Sequence, residues 1–197
     1  MTTTTQRMSF EEFLTYDDGT DICYELVQGE LKPVGLGTGM HGKITRFLDD
    51  CFNDEIQRTA QGLTSQRFAV GIQSPRGNRW DTCRIPDITV LPVEQWDAME
   101  DREAVIRAHE SPPLLVVEVV SSSTVVTDYR TKRTEYAVLD IPEYWIVDPT
   151  QSMVTVCILN EGAYDDQVFR EQESVISVTF PSLRLTAKQV LRAGQVV

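Results

Sequence analysis

The sequence predicts a mixed α/β fold, a β-sheet with helices packed against it, formed as a single domain over all 197 residues. Three observations lead there. From Met40 to about Ala60 the apolar residues Ile44, Phe47, Leu48, Cys51, Phe52 and Ile56 share one face of a 3.6-residue period, which marks an amphipathic helix. The runs Thr64 to Gln73, Ile85 to Leu91, Leu114 to Val120, Tyr144 to Val147 and Met153 to Leu159 are β-rich and punctuated by Pro, Gly, Asn and Asp. Between two of them, Asp128 to Leu139 reads helical, and this alternation of helix and strand builds mixed sheets.

The remaining elements follow in chain order. Ser9 with Glu12 three residues on is a capping box, so Ser9 to Leu14 opens a short helix with Phe10, Phe13 and Leu14 inward. Ile22 to Gln28 and Glu30 to Val34 form a hairpin turned at Gln28-Gly29, and Gly35 to Gly39 is a loop. After Asn160 come a hairpin, Pro181 and a short last helix from near Thr186. The core is expected over residues 9–191, with 1–8 as a flexible N-terminal tail.

Composition narrows the function classes. Apolar residues at 41%, charged residues at 24% and a mean hydropathy of -0.22 exclude a disordered or collagen-like chain. Thirty acidic residues against 18 basic ones leave a net charge of -12, which repels phosphate backbones and excludes a generic nucleic-acid-coating role. A nuclease then requires clustered basic residues. Residues 67–84 carry Arg67, Arg76, Arg79 and Arg84 against Asp81 alone, and Arg130 and Arg133 lie on the helix from Asp128. If these segments line one cleft, Arg76, Arg79, Arg84 and Arg130 are the candidate DNA contacts. Cys23, Cys51, Cys83 and Cys157 lack zinc spacing and read as small buried hydrophobes of a reducing cytoplasm. No signal pattern opens the chain and no apolar run approaches the roughly 20 residues of a membrane span, so a cytoplasmic protein with no membrane partner is expected.

Two carboxylates sit where a core should want none. Glu118 interrupts the aliphatic run Leu114 to Val120, a strand covered on both faces, where an uncompensated charge costs several kcal/mol. Asp87 follows Pro86 at the start of a second apolar strand. On the helix from Asp128, Lys132 shares a stripe with Tyr129, Tyr136 and Leu139 that faces the sheet, and it is one of only four lysines. Asp128, four residues earlier, is an alternative partner for it. Asp, Glu and Lys at a sheet edge suit metal-assisted phosphodiester hydrolysis: hard oxygens hold Mg²⁺, and a lysine orients water or offsets developing charge.

Arg84-Ile-Pro-Asp87, Leu115-Val-Val-Glu118-Val-Val-Ser121, Asp128-x-x-x-Lys132-x-x-x-Tyr136 and Ile141-Pro-Glu-Tyr-Trp-Ile-Val-Asp148-Pro149, with Tyr24-Glu-Leu-x-x-Gly-Glu30 and His41-Gly42 upstream, carry a resemblance. Over about Ser9 to Leu191 the chain resembles the bacterial Uma-type "putative restriction endonuclease" family of the PD-(D/E)XK nuclease superfamily. The resemblance implies a restriction-endonuclease-like mixed sheet flanked by helices and a Mg²⁺-dependent DNA endonuclease, with Mn²⁺ as a substitute ion. Asp87, Glu118 and the backbone carbonyl of Val119 become the implied metal ligands, with Asp87, Glu118 and Lys132 catalytic. The superfamily's usual lysine two positions after the glutamate is Val120 here, a role the family pattern moves to Lys132.

Glu25 matches the family's upstream acid and is a further ligand candidate, although a surface hairpin explains it nearly as well. His41, at the start of the long helix, could face the site or serve as a cap. Tyr144 and Trp145 read as packing residues. Cutting two strands makes a homodimer attractive. A glycosidase reading of the paired acids leaves Lys132 unexplained. The alternative retained is a non-catalytic nucleic-acid or protein interaction module on the same fold.

Overall fold

The computed structural model describes residues 7–195. Residues 1–6 of the expected N-terminal tail lie outside the described residues, whereas Met8 is tied to the fold, its N–H donating to the Gly29 carbonyl at 2.9 Å. Helix α1 (Phe10–Leu14) carries the expected capping box: Ser9 Oγ accepts from Glu12 N at 3.2 Å, and Glu12 returns a carboxylate to Ser9 N at 2.7 Å. Strands β1 (Tyr24–Val27) and β2 (Glu30–Pro33) form the expected hairpin. Gln28 and Gly29 both take positive φ at its turn, which matches the right-handed twist of the strands. Helix α2 (Gly39–Thr59) is capped by Thr38 and ends at Ala60 in the left-handed region.

The run from Thr64 to Gln73, expected as one strand, is two. Strand β3 (Leu63–Arg67) stops at Phe68, whose φ of 52° breaks the extended backbone, and β4 (Gly71–Arg76) resumes. A turn at Gly77-Asn78 leads into β5 (Arg79–Arg84), which the polar sequence Arg79-Trp-Asp-Thr82 concealed. After Ile85-Pro86-Asp87 comes β6 (Ile88–Pro92). Because β3 pairs antiparallel with β6 and β4 with β5, residues 63–92 form one long hairpin bent at 68–70 and 85–87. Its base lies in one sheet and its tip in another.

Helix α3 (Val93–Asp97), strand β7 (Val105–Ile106) and strand β8 (Leu115–Val119) follow. Residues Thr127–Lys132 form a π-helical stretch that continues as α4 (Arg133–Val138). Strands β9 (Glu143–Asp148), β10 (Met153–Asn160) and β11 (Ala163–Phe169) form a meander, and α5 (Ala187–Leu191) starts at a Thr186 cap. The strands make two mixed sheets, ordered β2-β1-β5-β4-β7 and β11-β10-β9-β8-β6-β3. Among the described residues only the β8–β9 and β4–β7 pairs are parallel.

Strand alternation divides the core. Leu115, Val117 and Val119 join Ile88, Val90, Trp145 and Val147 on the face covered by Ile44, Leu48, Phe52 and Ile56 of α2. Val116 and Val120 join Tyr144 and Ile146 on the face covered by Tyr136 and Ala137 of α4. Glu118 has the parity of Val116 and Val120, so its carboxylate is directed toward the helix that carries Lys132. Trp145 meets Phe52 edge-on at 5.5 Å and donates its indole N–H to Glu143 Oε1 at 2.7 Å, confirming Tyr144 and Trp145 as packing residues. Glu143 is wholly buried, and Ser177 Oγ and Thr179 N satisfy its other oxygen at 3.1 and 2.8 Å. Of the cysteines, Cys83 and Cys157 are buried as expected and Cys51 partly so, but Cys23 is exposed at the approach to β1.

Replacing Trp145 by Phe keeps an aromatic ring but strands a buried carboxylate oxygen, which should cost about 1–3 kcal/mol in urea denaturation. A loss below about 0.5 kcal/mol, the range of an ordinary surface change, would refute this role for the indole N–H.

Candidate active site

The acidic cluster forms where the bent hairpin passes between sheets. Pro86 supplies no N–H, so the ladder of β5 ends there and Asp87 falls between the last residue of one sheet and the first of the next. One step beyond the Ile88–Val117 pair of the β6–β8 ladder, Asp87 faces Glu118. Its Oδ2 accepts from Val119 N at 2.6 Å and lies 3.0 Å from His41 Nε2. That imidazole reaches over from the first turn of α2 and is half-buried.

Glu118 is 4% exposed and spends both oxygens on the neighbouring helix: Oε2 lies 2.8 Å from Lys132 Nζ, and Oε1 accepts from the Tyr136 hydroxyl at 2.9 Å. Lys132 is also 3.3 Å from Asp128 Oδ1, so both partners weighed for it are real. Neither oxygen of buried Asp128 accepts an aligned hydrogen bond, while its backbone carbonyl is held by Tyr144 Oη at 3.1 Å. Asp128 and Tyr136 thus belong to the cluster. In sequence Asp128 stood as an alternative partner for Lys132 and Tyr136 as part of an apolar stripe, and no site role was given to either; their four-residue spacing on either side of Lys132, within the motif Asp128-x-x-x-Lys132-x-x-x-Tyr136, was the available signal.

Burial pushes the Glu118 carboxyl up to about 8; Lys132 opposes the shift, and Asp87 and Asp128 add to it. Burial likewise raises Asp128. For Lys132 burial works downward, but Glu118, Glu25 and Asp128 outweigh it and hold the ammonium above its ordinary value. Its hydrogen bond to Asp87 raises His41 against the opposing effect of burial. The ammonium therefore stays charged, while burial works against negative charge on Glu118 and Asp128 beside it.

The other expected site residues are placed differently. Arg84 was expected at a phosphate, but it is 3% exposed and forked onto Glu135 at 2.8 and 3.1 Å, with its remaining arm 3.2 Å from Glu25. A guanidinium on a buried strand must be neutralised inside the protein, and Glu135 does that. Glu25 is committed to this network, its other oxygen accepting from Ile85 N at 3.0 Å. Arg76 lies 3.2 Å from the same Glu135 and Arg79 is 3.5 Å from Asp81, both part-exposed. Arg130 is exposed and makes no ion pair among the described residues. Among the described residues no three His, Cys, Asp or Glu side chains close on one point tightly enough to hold a metal ion. No described helix is long and apolar enough to cross a membrane.

Two mixed sheets wrapped by helices, with an acidic cluster at the strand crossing, define a restriction-endonuclease-like α/β protein. Residues 10–188 match the Uma2 family, described as "Putative restriction endonuclease", and the chain belongs to that family. Its fold is similar to the crystal structure of a "putative nuclease belonging to DUF820" from Anabaena variabilis, with a TM-score of 0.74 at 19% identity over 95% of this chain and 99% of that one. No curated protein matches the sequence.

Two outcomes follow from the charges. Arg84→Ala leaves buried Glu135 with only the part-exposed Arg76 and should cost about 3–5 kcal/mol in chemical denaturation, whereas Arg130→Ala should stay within about 0.5 kcal/mol of wild type. Equal effects would contradict this contrast. Glu118 has a folded-state pKa of about 8, above the ordinary carboxylate value of 4.5, so its protonation favours folding. That contribution is complete below the ordinary value and disappears as pH rises through about 8. Thermal midpoints recorded against pH should therefore decline more steeply between the ordinary value of 4.5 and about 8 in wild type than in Glu118→Gln; parallel curves over that interval would refute the raised pKa.

Proposed function

We propose that the protein is a metal-dependent endonuclease that hydrolyses phosphodiester bonds in DNA. The observation that supports this best is the contact of Glu118 and Asp128 with Lys132 at the sheet crossing, with Asp87 on the adjoining strand held by Val119 N and His41, in a chain of a nuclease family. The donor chemistry fits a hard divalent ion, because the cluster offers carboxylate oxygens and no sulfur, and the two Asp128 oxygens are buried without aligned partners. Asp87 and Glu118 would hold Mg²⁺, with Mn²⁺ as a substitute and the Val119 carbonyl as a further donor. Glu25 is not counted among the ligands, since Arg84 and Ile85 N already use its oxygens.

A bound divalent ion supplies polarisation of the phosphoryl oxygen and a water of lowered pKa. The chain's own groups do the rest. His41 Nε2 and Val119 N both hold one oxygen of Asp87, Oδ2, and so fix the orientation of its carboxylate. The Lys132 ammonium offsets negative charge developing on the phosphoryl oxygens, in a site where burial strengthens that interaction. Exposed Arg130, with part-exposed Arg76 and Arg79, contacts flanking phosphates. A homodimer would bring two such sites to two DNA strands.

Two observations favour the non-catalytic reading: Lys132 already pairs with Glu118, and no three ligating side chains converge among the described residues. The two readings part on Lys132→Gln. If Lys132 competes with the ion for Glu118, the variant should bind Mg²⁺ at least as tightly as wild type in calorimetry while its plasmid cleavage falls about 100-fold or more. Wild-type cleavage should require Mg²⁺ or Mn²⁺ and be lost in chelator, in Asp87→Asn and in Glu118→Gln. No Mg²⁺ heat on wild type, together with a loss of about 3–5 kcal/mol for Glu118→Gln in metal-free buffer, would establish a structural ion pair instead.

A further inference from the structure

Phe68 ends the first arm of the bent hairpin. Its φ of 52° is a left-handed conformation that bulky residues rarely adopt, and its backbone N–H donates to the Asp87 carbonyl at 3.2 Å. The side chain is 46% exposed and stacks on His41, with ring centroids 6.0 Å apart and planes at 22°. His41 in turn contacts Asp87, so the aromatic ring belongs to the same array as the acidic cluster. The loop before α2 also lies against this imidazole: a Cβ on Gly37 would come within 2.8 Å of His41 Nδ1, and neighbouring Leu36 is fully exposed. A strained backbone therefore holds an apolar ring in water beside the site.

Electrostatics cannot supply much affinity for a phosphate chain in a protein of net charge -12 whose Arg84 is buried in an internal ion pair. Stacking can, because every nucleobase has a π-face and aromatic platforms accept it without regard to charge. We propose that Phe68 is a base-stacking platform, on which an unpaired nucleobase rests while the adjoining phosphodiester lies at the Asp87–Glu118 cluster. The substrate is then single-stranded or locally opened DNA rather than an intact duplex. This inference rests on the nuclease reading above.

The test is binding of a single-stranded DNA oligonucleotide containing 2-aminopurine, followed by fluorescence in Ca²⁺ buffer, alongside the same sequence as a duplex. Wild type should bind the single strand more tightly than the duplex and quench the probe. Phe68→Ala should lose about 5- to 100-fold in single-strand affinity, and Phe68→Trp should restore it. Phe68→Gly, which suits the left-handed backbone, should lose as much as Phe68→Ala, so that the loss reports the ring and not the fold. Trp80→Ala removes an equally exposed aromatic from a hollow that shares no residue with the cluster, and should leave binding unchanged. A wild type that binds and cleaves while Phe68→Ala binds equally well overturns the platform and leaves the nuclease standing. Equal losses in Phe68→Ala and Trp80→Ala also overturn it. A wild type that neither binds nor cleaves DNA overturns both.

Discussion

A carboxylate inside a strand covered on both faces requires a positive charge within hydrogen-bonding reach, and the ammonium of Lys132, 2.8 Å from Glu118, meets that requirement. Much of the surrounding structure answers to this contact. The segment after β8 must return over the face of the sheet to which Glu118 is directed, and it does so as a π-helical stretch before becoming regular α-helix. Widened turns of this kind recur at functional sites. Here the turn brings Asp128 and Lys132 into the same buried volume, while Tyr136, on the following turn, takes the other Glu118 oxygen. The helix is thus anchored by polar contacts within a layer otherwise made of Val116, Val120, Tyr144 and Ile146.

The second organising element is the bent hairpin of residues 63–92, whose two arms change sheets side by side. Phe68 and Asp87 mark the two bends, and a backbone hydrogen bond ties them together. The tip sheet keeps its own neutralised pair, Arg84 with Glu135, which links β5 to α4 across the two sheets. The helix that carries Lys132 is therefore held from both sheets, to one through Glu118 and to the other through Glu135.

The readable part of this architecture was the part written in apolar periodicity. The stripe Ile44 to Ile56 placed α2 within one residue, and the aliphatic run around Glu118 marked both a buried strand and the acid within it. Strand β5 was concealed because Arg79, Trp80 and Asp81 stay partly exposed and show no apolar alternation. The break at Phe68 was concealed because no glycine or proline marks it; what accompanies the left-handed backbone are tertiary contacts with His41 and Asp87, from distant parts of the chain. Arg84 was misread for a related reason. A local excess of arginine carries no information about burial, and its partner Glu135 lies 51 residues away in the chain. Asp87, Glu118 and Lys132 could be picked out because each breaks an apolar pattern, whereas Glu135 and Asp128 stand in polar surroundings that gave no such contrast.

The ladder between β6 and β8 joins the halves of the cluster, and it is only three residue pairs long: Ile88 with Val117, Thr89 with Val116 and Val90 with Leu115. Asp87 arrives with the hairpin, whereas Glu118 arrives with a strand whose other edge is paired in parallel to β9. Contacts local to the hairpin can form without closing the longer loop that β8 needs, so the acids meet only when these two pieces dock. A brief opening of that short ladder would separate Asp87 from Glu118 while the hairpin and the β8–β9 pair each stayed intact. Amide exchange at Ile88 and Val117 that is no faster than global unfolding would show the opening does not occur, and otherwise the cluster is among the first features of the fold to come apart.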